Sequence, residues 1–109
     1  MPERAVSDGE ELFWRLAELL LADPMVTRST MMGFPCLRVN GKFFACVERS
    51  TGNLVVKLAA DQVKELVGSG AGIAFAPNGR VFREWVAFPV PDEAEWTDLL
   101  EQAESFVRG

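Results

Sequence analysis

The chain has 109 residues, a formal net charge of −5, 49% hydrophobic and 25% charged residues. That is globular composition for a single domain over 1–109, able to close one core without disulfides or a metal. There is no histidine, which excludes Ser-His-Asp triads and histidine-bearing zinc sites, and the acidic total speaks against coating nucleic acid by bulk charge.

The amino terminus is polar and lacks an apolar core of signal-peptide length; residues 1–6 read as a loose arm. Ser7 followed by Glu10 fits a capping box, and Leu12, Phe13, Leu16, Ala17, Leu19 and Leu20 recur at helical spacing until Asp23-Pro24. This predicts a helix over 8–22. The run Leu19-Leu20-Leu21-Ala22 is far short of the ~20 residues of a membrane span, so no membrane association is expected and the chain is expected in the cytoplasm.

Strands are predicted at 27–39, broken near Gly33 or Pro35, then at 42–49, 53–58, 72–76 and 81–88. Asn40-Gly41 is a type I′ hairpin signal, while Thr51-Gly52 and Pro77-Asn78-Gly79 mark further turns. Ala59–Val67 reads as a helix with Val63, Leu66 and Val67 on one face, stopped by Gly68-Ser69-Gly70. Asp92 caps a last helix whose buried stripe is Trp96, Leu99, Leu100, Ala103, Phe106 and Val107, with Glu93, Asp98, Glu101 and Glu104 opposite. The fold class is α+β, as α-β(3)-α-β(2)-α, with three helices and a mainly antiparallel five-stranded sheet.

Two-residue loops at Asn40-Gly41 and Thr51-Gly52 set Leu37 opposite Phe44, Cys36 opposite Ala45 and Val47 opposite Val56. One sheet face then carries Phe34, Cys36, Phe43, Ala45, Val47, Leu54, Val56 and Leu58, with Arg38 and Arg49 toward its ends, and is expected to be the core face. The other carries Leu37, Val39, Lys42, Phe44, Cys46, Glu48, Val55 and Lys57. Either a helix or the amino-terminal arm covers it, or its apolar residues form an exposed patch that dimerises or docks a partner. Cys36 and Cys46 fall on opposite faces and are expected not to bond. A one-residue change of register reverses that placement. The spacing Cys36-x9-Cys46 matches no zinc or redox motif.

Charge is uneven. Residues 1–23 carry a net of −4, residues 24–60 a net of +4, and residues 61–109 a net of −5. The basic centre holds Arg28, Arg38, Lys42, Arg49 and Lys57 against Glu48. These cations either guard edge strands against aggregation or form an anion or nucleic-acid surface.

The stretch Met31-Met32-Gly33-Phe34-Pro35-Cys36-Leu37-Arg38-Val39-Asn40-Gly41-Lys42-Phe43-Phe44-Ala45 resembles the signature of TfoX amino-terminal-like domains. There a Met-Phe-Gly-Gly stretch precedes an apolar strand, a glycine turn, a lysine and a Phe-Ala pair. Met32 stands where phenylalanine is usual, and Phe34-Pro35 replace the second glycine's neighbourhood. Asn53–Leu58, Phe75-Ala76-Pro77 and Glu84-Trp85-Val86 match the later part, so the resemblance spans roughly 25–107 and extends to the YjbR (MmcQ)-like fold. It implies the same element order and a module without a defined reaction. Full-length TfoX proteins regulate competence genes but carry a second domain, and YjbR-like members have been likened to double-wing DNA-binding proteins.

No acid–base pair, activated thiol or phosphate loop is apparent, so no catalytic residue, cofactor or metal is assigned. The expected function is a small non-enzymatic binding or adaptor module that engages a protein partner or itself through Leu37, Val39, Lys42, Phe44, Val55 and Lys57. The alternative is a DNA-associated transcription or competence-type regulator using Arg28, Arg38, Lys42, Arg49 and Lys57.

Overall fold

Among the described residues, turns and helix stops divide the chain into nine elements. A computed structural model describes residues 8–31, 33–76 and 79–109. The elements are α1 (Asp8–Leu20), β1 (Val26–Met31), β2 (Phe34–Val39), β3 (Lys42–Val47), β4 (Leu54–Lys57), α2 (Ala60–Ser69), β5 (Ile73–Ala74), β6 (Trp85–Phe88) and α3 (Glu93–Arg108). The class is α+β with three helices, and the sheet has six strands in the order β1-β2-β3-β4-β6-β5, every pairing antiparallel. The sixth strand arises because the expected 27–39 segment is a hairpin of its own, turning at Gly33 with φ of 82°. Ser7, the amino-terminal arm, Pro77 and Asn78 lie outside the described residues.

Local chemistry explains most boundaries. The Asp92 carboxylate accepts from the Glu95 N–H at 2.9 Å and starts α3. Gly70, with φ of 83°, closes α2 in the left-handed conformation. Asn40 and Gly41 have φ of 52° and 81°, the two positive values a type I′ hairpin requires. The β3–β4 connection is longer than a two-residue loop: the Gly52 N–H reaches back to the Glu48 carbonyl at 2.6 Å, and the Glu48 N–H bonds the Asn53 carbonyl.

Register decides which side chains reach the core. Val39 pairs with Lys42 and Arg38 with Phe43, but Leu37 then pairs with Ala45 and Cys36 with Cys46. The extra residue on β3 is Phe44. This bulge puts Phe44 and Ala45 together opposite Leu37 and shifts the rest of the hairpin by one. A one-residue shift exchanges faces, which corrects the expected assignment. Leu37, Val39 and Phe44 are fully buried in the main core, with Ala45, Val47, Leu54, Val56 and Leu58. Phe34, Cys36, Arg38 and Phe43 belong to the opposite face. At β3–β4, Ala45 pairs with Val56 and Val47 with Leu54. These pairings differ by two residues from expectation, which leaves the faces unchanged.

All three helices pack on the Leu37–Phe44 side. Leu12, Phe13, Leu16 and Ala17 of α1, Val63 of α2, and Trp96, Leu99, Leu100 and Ala103 of α3 complete that core. Val107 packs at its margin, whereas Phe106 is 40% exposed rather than part of the buried stripe. At the start of α1, a Cβ on Gly9 would lie 1.9 Å from the Gly52 carbonyl oxygen. Only glycine lets the helix meet the β3–β4 turn this closely. Beside it, buried Glu10 lies 3.7 Å from Arg49. Among the described residues no helix is long and apolar enough to cross a membrane.

Candidate functional site

The sheet face opposite the helices is built from alternate residues of all six strands. Ser29, Cys36, Cys46, Val55, Ala87 and Ile73 form one transverse row, each paired with the next across the sheet. Its middle is sealed. Cys36, Cys46 and Val55 are wholly buried, with Phe75 and Ala87 nearly so, and half-buried Phe34, Phe43, Phe82 and Trp85 pack against them. The cover comes from these rings and from the segment between β5 and β6. The Phe82 N–H bonds the Phe75 carbonyl at 3.0 Å, and the two rings lie 5.9 Å apart.

Above this row, cations alternate with aromatic rings. The Arg38 guanidinium lies 4.4 Å from the centroid of Phe43, its cross-strand partner, and its Nε is buried without a hydrogen-bond partner among the described residues. Lys57 pairs with Trp85 across β4 and β6. Lys57 also lies 3.8 Å from Glu84. Arg80 sits 5.8 Å from the Phe82 ring. Lys57, Phe82, Arg83, Glu84 and Trp85 line a shallow groove at this end of the sheet. Glu48, below the row, is partly buried, and that desolvation raises its pKa. Arg38, Lys57, Arg80 and Arg83 thus gather around an aromatic surface, with Glu48 and Glu84 as the nearby acids.

The sequence-derived sites are redistributed by this geometry. Leu37, Val39 and Phe44 are core residues at 0% exposure and form no surface. Val55 and Lys57 do lie on the face opposite the helices, but Val55 is sealed beneath the aromatic rings. Lys42 is exposed at the Asn40-Gly41 turn. The five cations of the basic centre do not form one track. Arg28 stacks on Trp14 of α1 at 5.0 Å, Arg49 pairs with Glu10 of α1, and Arg38 and Lys57 lie on the opposite face. Phe34, Phe43, Phe82 and Trp85 were not assigned to a site from sequence. The alternation that would have marked Phe34 and Phe43 is reversed by the bulge.

Cys36 and Cys46 also change place. They share a face and stand directly opposite one another, and both are thiols. The Cys36 Sγ–H donates to the Phe34 carbonyl at 3.3 Å. Hydrogen bonding with Cys36, reinforced by burial, pushes the Cys46 thiol pKa strongly upward. Comparison of the chain with protein-family models, curated proteins and solved structures finds no match.

Proposed function

We propose that the protein is a non-enzymatic binding module that receives an acidic segment of a partner protein on its helix-free sheet face. The supporting observation is the run of stacked cations and rings on one face of a chain whose net charge is −5. A guanidinium already held over a ring has less rotamer freedom to lose when it pairs with a carboxylate. Phe34, Phe43, Phe82 and Trp85 supply apolar area for anchor residues in the same segment. The resemblance to TfoX amino-terminal domains implies a module without a defined reaction and names no partner.

A nucleic-acid role draws less support. Arg28 and Arg49 are turned to the helical side, Lys42 sits at the Asn40-Gly41 turn opposite core residue Val39, and Arg38 and Lys57 share their face with Glu48 and Glu84, leaving few phosphate contacts. Fluorescence anisotropy at ~50 mM salt, with labelled Glu/Leu/Phe peptides against single-stranded and duplex oligonucleotides, separates the two roles. The acidic peptides are expected to bind. The double variant Arg38→Glu, Lys57→Glu should weaken them roughly tenfold or more, while Arg28→Glu, Lys42→Glu leaves them unchanged. Preference for oligonucleotides would turn the assignment to the DNA-associated regulator, and equal effects of the two double variants would contradict the face itself.

A further inference from the structure

The bulge that buries Phe44 also brings the chain's two cysteines together. Antiparallel strands alternate hydrogen-bonded with non-hydrogen-bonded pairs, the latter with Cα atoms about 4.5 Å apart and side chains closer. The Asn40-Gly41 turn closes on Val39 and Lys42, so odd residues of β2 turn their main-chain groups to β3 and even ones to β1. The Asn40 N–H, which bonds the Met25 carbonyl at 3.1 Å, fits this alternation. Because the extra residue lies on β3, the alternation along β2 is unbroken. Cys36 therefore faces Cys46 in a non-hydrogen-bonded pair, within the Cα separation of about 4.4–6.8 Å that a disulfide spans. Directly paired residues share a face, so the two thiols project from the same side of the sheet at adjacent positions.

We propose that Cys36 and Cys46 are a redox-responsive pair that hydrogen peroxide joins in a disulfide across β2 and β3. The Cys36 sulfur, as thiolate, attacks the peroxide O–O bond, giving a sulfenic acid and hydroxide, which takes up the released proton as water, while Cys46 stays a thiol at this step. The second sulfur then displaces the sulfenic oxygen as a second water and forms the S–S bond. The two sulfurs together lose two electrons and one peroxide gains them. Both thiols are at 0% exposure beneath Phe34, Phe43 and Phe82, which favours a small oxidant over bulky disulfides and leaves each sulfur with the other as its nearest reaction partner. The bond closes a loop over 36–46 that contains the bulge, fixing the β2–β3 register directly under the aromatic face.

The full chain treated with peroxide, then denatured, alkylated and weighed without reductant, tests this. A monomer lighter by two hydrogens and unalkylated is expected, with one proteolytic fragment pair joining Cys36 to Cys46 and full reversal by dithiothreitol. Closing the loop should raise Tm by roughly 10 °C. In Cys46→Ser the sulfenic acid at Cys36 should persist long enough to be trapped by dimedone. Two alkylated thiols after peroxide treatment, sulfinic acids, or disulfide-linked dimers would each overturn the proposal. The wild-type mass measurement decides it even if the serine variant does not fold.

Discussion

Gly9 and Gly68 both sit in helices, yet alanine at each has the opposite effect. At Gly68 nothing lies within 4 Å of an added Cβ, so Gly68→Ala should stabilise by about 0.5 kcal/mol through the unfolded chain. At Gly9 the same methyl would strike the Gly52 carbonyl, and the displaced α1 or turn should cost roughly 1–3 kcal/mol. Urea denaturation of the two variants reads both signs. Phe44 and Trp85 form a second contrast. Phe44 is wholly buried between sheet and helices, so Phe44→Ala should cost about 3–5 kcal/mol and Phe44→Asp should abolish folding rather than detach a partner. Trp85 is half-buried on the opposite face. Trp85→Ala is expected to cost less stability than Phe44→Ala and to lose peptide binding, measured by anisotropy on the folded variant. Sequence could not separate these two aromatics, because nothing in Phe43-Phe44-Ala45 shows which of three apolar residues leaves the ladder.

Elements were more legible than their register. Helical periodicity, the Asp92 cap and Gly70 located the helices, and Asn40-Gly41 located the central hairpin, because each rests on chemistry within a few residues. The pairing of β2 with β3 depends on a long-range choice between two alignments. Phe43 and Phe44 fill either face equally well, so the hydrophobic pattern carried no penalty for the wrong one. The β3–β4 pairing differs by two residues from that of a two-residue loop without consequence for the faces, since side-chain direction repeats every second residue. Helix α3 is tied down at its far end by Arg108, which meets Asp23 at 2.7 Å and also bonds Glu104. The Met25 N–H, with Arg108, holds the Asp23 carboxyl below its ordinary value of 3.8. A carboxyl lowered by folding contributes its stabilisation fully above that ordinary value and loses it as pH falls through the lowered one. Asp23→Asn should therefore be less stable than wild type at neutral pH, and the difference should shrink as pH drops below the ordinary value. A gap unchanged by pH in parallel denaturation curves would show that charge is not what Asp23 supplies.

At the scale of the molecule, charge is unevenly placed. The exposed acids of α1 and α3, among them Asp8, Glu11, Glu95, Asp98 and Glu101, lie on the helical side, while Arg38, Lys57, Arg80 and Arg83 gather around the opposite sheet face. The net charge conceals this, and the charge blocks along the chain reveal only part of it, because alternate residues of one basic segment go to opposite faces. Arg80 and Arg83 come from outside that segment and reach the face through the β5–β6 connection. The three tryptophans report on these regions separately: Trp14 packs on α1 beneath Arg28, Trp96 is wholly buried in the main core, and Trp85 stands beside Lys57 on the sheet face. If this face binds acidic segments, titrating ¹⁵N-labelled protein with a Glu/Leu/Phe peptide while following the three indole N–H resonances will show it. Movement of Trp85 together with the amides of Phe34, Arg38, Phe43 and Lys57, with Trp96 fixed, is the predicted result; shifts confined to Trp14 and the helices, or no shift at all, would contradict it.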